Sequence, residues 1–330
     1  MTSNEINALF DGFANKKVLI IGDVMIDAYL WGKVERISPE APVPVIAVAK
    51  KDQRLGGAAN VARNVANLGG IPMLCSVIGT GKNAEDFSSI LKKANISDEW
   101  LVKSGHRPTT IKTRVVAGHQ QMLRIDEETT QDLNQEEFEL LKAVVEKAIL
   151  SCDILVFEDY EKGVLKKESI AEFIALAKAH GKTILVDPKK KNFLHYKGAT
   201  VFKPNLKELQ EGLNISFPSE FDVKEIEKAA AILREKLEAE TAMITLSENG
   251  VFIGNEDESH HIPAHKRDIF DVSGAGDTVI AICALLLASD VPIRYVAEIA
   301  NLGGGLVCEK VGVVPIDKES LRKEALQILA

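Results

Sequence analysis

The chain has 330 residues, enough for one large domain, and 40 Lys and Arg against 48 Asp and Glu leave a formal charge of −8. That balance gives no broad field for nucleic acid or an anionic membrane, so any phosphate recognition must come from a local cluster. Four scattered cysteines without C-x-x-C spacing, a mixed-polar opening MTSNEINALFDGF and the lack of an apolar run near 18 residues lead us to expect a soluble cytoplasmic protein.

In chain order, KVLIIGD (17–23) predicts a strand and GAANVARNVANLG (57–69) a helix. PMLCSVIG (72–79) predicts a strand, 84–94 a helix, DILVFED (153–159) a strand and 166–180 a helix. Strands TILVD (183–187) and ATVF (199–202) precede helices at 205–213 and 222–238. AMITL (242–246) and VFIGN (251–255) then lead to two apolar helices at 275–288 and 293–309. Such alternation predicts an α/β fold with a largely parallel sheet covered by helices. Residues 28–55 and 107–128 alternate apolar and charged positions with no helix. We read them as β-ribbons that pair into a small lid on a single domain, 1–330; two separate surface hairpins are the alternative.

The stretch DVSGAGDTVIA (271–281) puts glycines at a helix start, where free N–H groups and the helix dipole suit phosphate. Asp277 would repel that phosphate unless it faces an attacking hydroxyl instead. A phosphoryl-transfer enzyme needs both parts, donors for the phosphate and an acceptor for the hydroxyl proton. Gly274, Ala275 and Gly276 would supply the first, Asp277 the second. In LGGAANVARNVANLGG (55–70), Gly56 and Gly57 permit close backbone approach and Asn60 suits sugar hydroxyls. Asp23 and Asp27 leave the first strand where α/β sheets bind ligands. In PNLKE (204–208), Asn205 and Glu208 read either as a capping box or as a pair organising Mg²⁺ through water. In DPKKKN (187–192), Lys189 stands at a strand end. No G-x-x-x-x-G-K-[ST] is present; GTGKNA (79–84) keeps a nicotinamide-binding reading open, and His260, His261 and His265 lack a metal-ligand pattern.

In their order, these motifs resemble the ribokinase-like (phosphofructokinase B) sugar kinase family over about 15–320. GGAANVARNVANLG looks like its amino-terminal signature, DVSGAGDT its carboxyl-terminal one and N-L-K-E its N-x-x-E magnesium motif. ISPEAPVPV (37–45), QQMLRIDEE (120–128), DYEKG (159–163) and DPK (187–189) further resemble bacterial D-glycero-D-manno-heptose 7-phosphate kinase domains, often fused to an adenylyltransferase. The resemblance implies a three-layer α/β/α fold and transfer of the ATP γ-phosphoryl group to the anomeric hydroxyl of heptose 7-phosphate.

It implies Asp277 as base and Gly274, Ala275 and Gly276 as anion hole. Asp23, Asp27, Gly56, Gly57 and Asn60 would hold the sugar, and Arg124 its 7-phosphate, supported by Asp159, Lys162 and Lys189. Asn205 and Glu208 would serve Mg-ATP with Lys207 near the phosphates, while Ser247, Gly250 and Asn301 line the nucleotide pocket. Asp271 and VCEKVGVV (307–314) resemble the K⁺ site of some relatives. With no H-x-G-H motif in the sequence, the adenylyltransferase is expected on a separate chain, and exposed lid edges point to a homodimer through the lid. IGTGKNA lacks the family's usual aspartate, Leu246 replaces a polar residue, and Ile282 replaces a small one, implying altered packing behind the catalytic helix. A different sugar substrate, or a catalytically silent sugar-phosphate sensor, is the competing reading.

Overall fold

The stretches VLII (18–21) and ILVF (154–157) have no polar face, so their strands must be covered on both sides. A computed structural model describes residues 1–118, 120–218 and 221–330. Its strands are β1 (Lys17–Gly22), β2 (Val24–Ile37), β3 (Pro44–Gly57), β4 (Ile71–Ile78), β5 (Leu101–Lys103), β6 (Thr110–Ala117), β7 (Gln120–Glu127), β8 (Ile154–Glu158), β9 (Thr183–Asp187), β10 (Val201–Phe202), β11 (Thr241–Thr245), β12 (Val251–Gly254) and β13 (Ser259–Ile262). The helices are α1 (Ser3–Gly12), α2 (Ala58–Asn67), α3 (Lys82–Lys93), α4 (Gln135–Ala148), α5 (Lys167–Ala179), α6 (Leu206–Leu213), α7 (Val223–Leu237), α8 (Ala275–Leu287), α9 (Ile293–Cys308) and α10 (Lys318–Leu329).

The large sheet runs β13-β12-β11-β10-β9-β8-β1-β4-β5, parallel from β11 to β5 and antiparallel at β11–β12–β13. Alternate residues of one strand enter opposite cores. Val18 and Ile20 pack with α1, α2, α3, α8, α9 and α10, whereas Leu19 and Ile21 pack with α4 to α7. This is the expected ribokinase-like α/β/α arrangement. It places the carboxyl ends of β1, β8 and β9 beside the start of α8.

Three helices, α1, α4 and α10, and two short strands, β5 and β13, extend the expected list. Their signals were legible. Thr2 with Glu5, and Asn134 with Glu137, form complete capping boxes, and Asp317 caps α10. Within α4, Phe138, Leu141, Val145 and Ala148 recur on one buried face. Ile282 packs against Gly303 of α9, where a methyl group would overlap the Ile282 side chain, so glycine makes the room.

The two ribbons do pair into one sheet, in the order β3-β2-β6-β7. It begins closer to the main sheet than expected, at Val24, and β2 runs parallel to β6. Register puts Arg114 opposite both Tyr29 and Arg124, and Lys112 opposite both Asp27 and Asp126. These side chains share one face, because residues two apart point the same way. Val115 and Leu123 pair on the other face, where Leu123 is 56% and Ile125 47% exposed.

Candidate active site

The carboxylate of Asp277 lies in the first turn of α8, 5% exposed. Asn60 Nδ2 donates to its Oδ2 at 2.7 Å and Tyr160 OH to its Oδ1 at 2.7 Å. Burial raises the carboxyl to about 6, against the two hydrogen bonds that favour its ionised form. That suits a general base working near neutrality. Asn60 is itself held: Asn64 Nδ2 donates to the Asn60 carbonyl at 2.9 Å, and Asn64 Oδ1 accepts from Ile316 N at 2.8 Å. Gly274 caps α8 with φ +79°, a conformation that favours glycine. Of the three expected donors, the Ala275 N–H is taken by the Val272 carbonyl at 3.2 Å, while the Gly274 and Gly276 N–H groups, and that of Asp277, have no acceptor among the described residues.

Asp27 stays on the cleft side of the lid, ion-paired with Arg114. Gly56 and Gly57 bring β3 and the start of α2 against it. A Cβ at Gly56 would overlap the Asp27 carboxylate, and one at Gly57 the Asp23 carbonyl. Arg124 shares the Arg114 face, 52% exposed at its side chain, and bonds Asp126 at 2.9 Å. Lys162 reaches Glu128 at 2.8 Å. Lys189 pairs with Glu208 and lies 5.3 Å over the Tyr160 ring. Burial pushes its ammonium down, but Asp187 and Glu208 outweigh that and hold it above the usual lysine range.

Two expected sugar ligands turn out to be scaffold. Asp23 is 1% exposed; its Oδ2 accepts Tyr160 N at 2.9 Å and Lys162 N at 3.0 Å, and its Oδ1 accepts Val164 N at 3.0 Å. Asp159, also 1% exposed, accepts from Asn192, Tyr196 and the Glu161 N–H. Burial raises Asp159 to about 6, with Asp23 adding to it. Both carboxylates shape the 159–164 segment instead of facing a ligand.

On the nucleotide side, Asn205 and Glu208 form the capping box of α6, with N–H to oxygen distances of 2.8 and 2.9 Å. Glu208 Oε1 also meets Lys189. Their oxygen donors retain lone pairs for the water shell of a hard cation, so the pair fits Mg²⁺ through water. Lys207 lies away from the cluster; its side chain is 82% exposed, 3.9 Å from Glu211. Ser247 and Gly250 form the turn between β11 and β12. Gly250 packs closely on 262–264, and Asn301 donates to the Pro263 carbonyl at 2.9 Å. Asp271 accepts from Ser273 and Gly312 N–H, which hold it below its ordinary value although burial pushes it up. Arg54 donates to the Val313 carbonyl at 3.1 Å, so that oxygen of the expected K⁺ loop already has a cationic partner.

Sequence reasoning missed four members of the cluster: Tyr160, Glu158, Arg114 and Lys203. Lys203 is 2% exposed and paired with Asp187 at 2.8 Å. Glu158, at the end of β8, has an unpartnered buried Oε2; burial, then Asp187 and Asp277, drive its carboxyl well up. The strand-end position of Glu158 and the lysine just before Pro204 were the available signals.

Comparison with known proteins decides the family. Residues 15–319 match the model of the pfkB family carbohydrate kinases. The chain belongs to that family. It is accordingly an ATP-dependent sugar kinase, and the nicotinamide reading of GTGKNA falls. The bifunctional protein HldE of Desulfatibacillum aliphaticivorans is 39% identical over 313 residues, 94% of this chain and 63% of that one. HldE of Methylobacillus flagellatus is 40% identical over 308 residues, 93% and 62% of the two chains. The chain thus spans less than two thirds of these relatives. Among solved structures, phosphofructokinase-2 from Escherichia coli in complex with potassium superposes with TM-score 0.78 at 20% identity, covering 93% of this chain and 97% of that one. Arabidopsis thaliana ribokinase complexed with ribose and ATP superposes with TM-score 0.72 at 15% identity, covering 96% and 99%. Both share the fold. No helix among the described residues is long and apolar enough to cross a membrane.

Proposed function

We propose that this kinase transfers the γ-phosphoryl group of ATP to the anomeric hydroxyl of D-glycero-D-manno-heptose 7-phosphate, giving the 1,7-bisphosphate and ADP. The observation that carries the reaction is Asp277, buried and doubly hydrogen-bonded beside the free Gly276 N–H. The lid segments 37–45 and 120–128, with their resemblance to heptose kinases, carry the substrate. As the anomeric oxygen bonds phosphorus and the γ-phosphorus–oxygen bond to ADP breaks, Asp277 takes the hydroxyl proton. The Gly274, Gly276 and Asp277 N–H groups receive the charge of the transferring phosphoryl group. Asp27, set by Arg114, orients the sugar between the small sheet and α2, with Gly56 and Gly57 giving close approach, while Asn60, fully buried, acts through the Asp277 carboxylate. Arg124, Lys162 and Lys189 supply positive charge for the existing phosphate.

Asn205 and Glu208 would hold Mg²⁺ through water, and a magnesium ion supplies charge neutralisation on the ATP phosphates. Ser247, Gly250 and Asn301 border the adenosine side. A K⁺ ion, if used, would take the carbonyls of 307–314 that Arg54 leaves free. We read 1–330 as one cytoplasmic kinase domain whose small sheet closes over the sugar, and the exposed Leu123–Ile125 face as the seat of a second copy. An adenylyl-transferring activity would consume the bisphosphate after removal of one phosphate.

The test is ADP release with Mg-ATP against heptose 7-phosphate, fructose 6-phosphate, fructose 1-phosphate, ribose and ketodeoxygluconate. Turnover confined to heptose 7-phosphate is expected. Preference for another sugar would overturn the substrate and keep the reaction; silence on all five with ATP bound would favour a sensor.

A further inference from the structure

The sugar and nucleotide assignments leave Tyr160 without a role, yet three contacts converge on it. Its hydroxyl meets Asp277 Oδ1 at 2.7 Å, the oxygen opposite the one Asn60 serves. Its N–H donates to Asp23 Oδ2 at 2.9 Å, and Asp23 also takes the N–H groups of Lys162 and Val164 at 3.0 Å each. The segment that carries the phenol is therefore fixed to the end of β1 by a buried carboxylate. Its ring lies under the Lys189 ammonium, which pairs with Glu208 at the start of α6. A tyrosine that merely filled space would need none of these polar contacts.

We infer that Tyr160 is a positioning residue for phosphoryl transfer: its hydroxyl fixes the plane of the Asp277 carboxylate so that the remaining lone pairs face the acceptor hydroxyl. The inference rests on the kinase reading of Asp277. Each carboxylate oxygen has two acceptor directions, so Tyr160 and Asn60 occupy one on each and leave one on each. The terminal torsion of an aspartate is broad, and a single donor would let the plane swing. Asp23 acts one step further back, through the loop.

The same hydrogen bond favours the ionised carboxylate. Asp187 at the end of β9, Asp27 on β2 and Glu158 at the end of β8 face Asp277 and oppose ionisation. The nearby cations are committed elsewhere, Lys203 to Asp187 and Lys189 to Glu208. Asn60 and Tyr160 are thus the groups that keep Asp277 a base. Losing the phenolic donor should raise its titration by about one pH unit.

Tyr160→Phe keeps the ring and its place under Lys189. Two readouts on the full chain test it. Carboxyl ¹³C NMR without ligand follows Asp277 directly, its signal identified by absence from Asp277→Asn. Steady-state kinetics follow kcat and KM against pH with whichever sugar of the panel wild type turns over. The expected result is a titration midpoint and an acid limb of kcat/KM that both move up by about one unit. The loss in kcat/KM should then be about fivefold greater at pH 6 than at pH 9, with the acceptor KM little changed. Asp23→Asn should move both in the same direction by less. A folded Tyr160→Phe chain whose midpoint and acid limb stay at the wild-type values would overturn the inference, whatever its rate loss. A shifted midpoint in a chain that turns over no sugar would instead sink the kinase reading and leave the hold of Tyr160 on the carboxylate standing.

Discussion

Replacing Asp277 with asparagine is expected to lower turnover by orders of magnitude and, at the same time, to stabilise the fold. Burial raises this carboxyl from 3.8 to about 6, the bonds from Asn60 and Tyr160 recovering part of the cost. A shift of one unit corresponds to about 1.4 kcal/mol, so the ionised side chain costs the folded state up to about 3 kcal/mol. Above pH 6 both folded and unfolded chains are deprotonated and that cost is full. Between pH 6 and 3.8 the folded chain takes up its proton first and the cost shrinks; below 3.8 it is gone. Asparagine carries no charge, offers its oxygen to Asn60 and can donate its NH₂ to the Tyr160 oxygen. At an unfolding entropy of about 2.1 cal/mol/K per residue, the gain is worth about 4 °C in Tm at pH 7.5. Calorimetry from pH 4 to 8, alongside ADP release, tests both halves. Activity should fall about a hundred- to ten-thousandfold. A variant that melts below wild type at pH 7.5, or a Tm difference that does not change with pH, would refute the reasoning.

Gly303→Ala puts a methyl group into the Ile282 side chain and should cost about 1–3 kcal/mol by thermal unfolding, a loss that Ile282→Val relieves. Arg114→Ala frees Asp27 on the cleft face and is expected to raise the acceptor KM about tenfold while leaving the ATP KM unchanged. Arg124→Ala should act in the same direction and weaken the salt dependence of that KM, because Arg124 is half-exposed. All four cysteines are buried, with Cys152 pushed up to about 11 and Cys283 to about 12 by burial, so thiol reagents should label none in the native chain and all after denaturation.

Much of the site could be read in the sequence because it is built from local motifs. Glycines at 56, 57 and 274 mark places where backbone comes close to a neighbour or must adopt a rare φ, and such marks survive in one dimension. The small sheet was legible from alternation alone, since a sheet with one exposed face alternates apolar and polar positions. Asp23 and Asp159 were misjudged for the opposite reason. A carboxylate at a strand end has the same sequence signature whether it faces a ligand or holds the donors of a loop, three N–H groups for Asp23 and one N–H with the Asn192 amide and Tyr196 hydroxyl for Asp159. Only the path of residues 159–164 tells the two apart. Lys207 drew attention because it sits inside the N-L-K-E motif, and Lys203 was passed over. The helical turn directs it outward, while the strand register directs Lys203 onto Asp187.

The proposed base illustrates what no linear motif could supply. Its three members come from positions 60, 160 and 277, on a helix start, a loop and another helix start. Each is placed by a different constraint: Asn60 by Asn64, Tyr160 by Asp23, Asp277 by the turn at Gly274. A buried carboxylate left to itself would bind a proton and lose its function near neutrality. Two donors moderate that tendency without cancelling it, which leaves a group about half ionised near pH 6. A base tuned this way accepts a proton from a sugar hydroxyl more readily than an ordinary surface aspartate would, and the fold carries the destabilisation that the tuning requires.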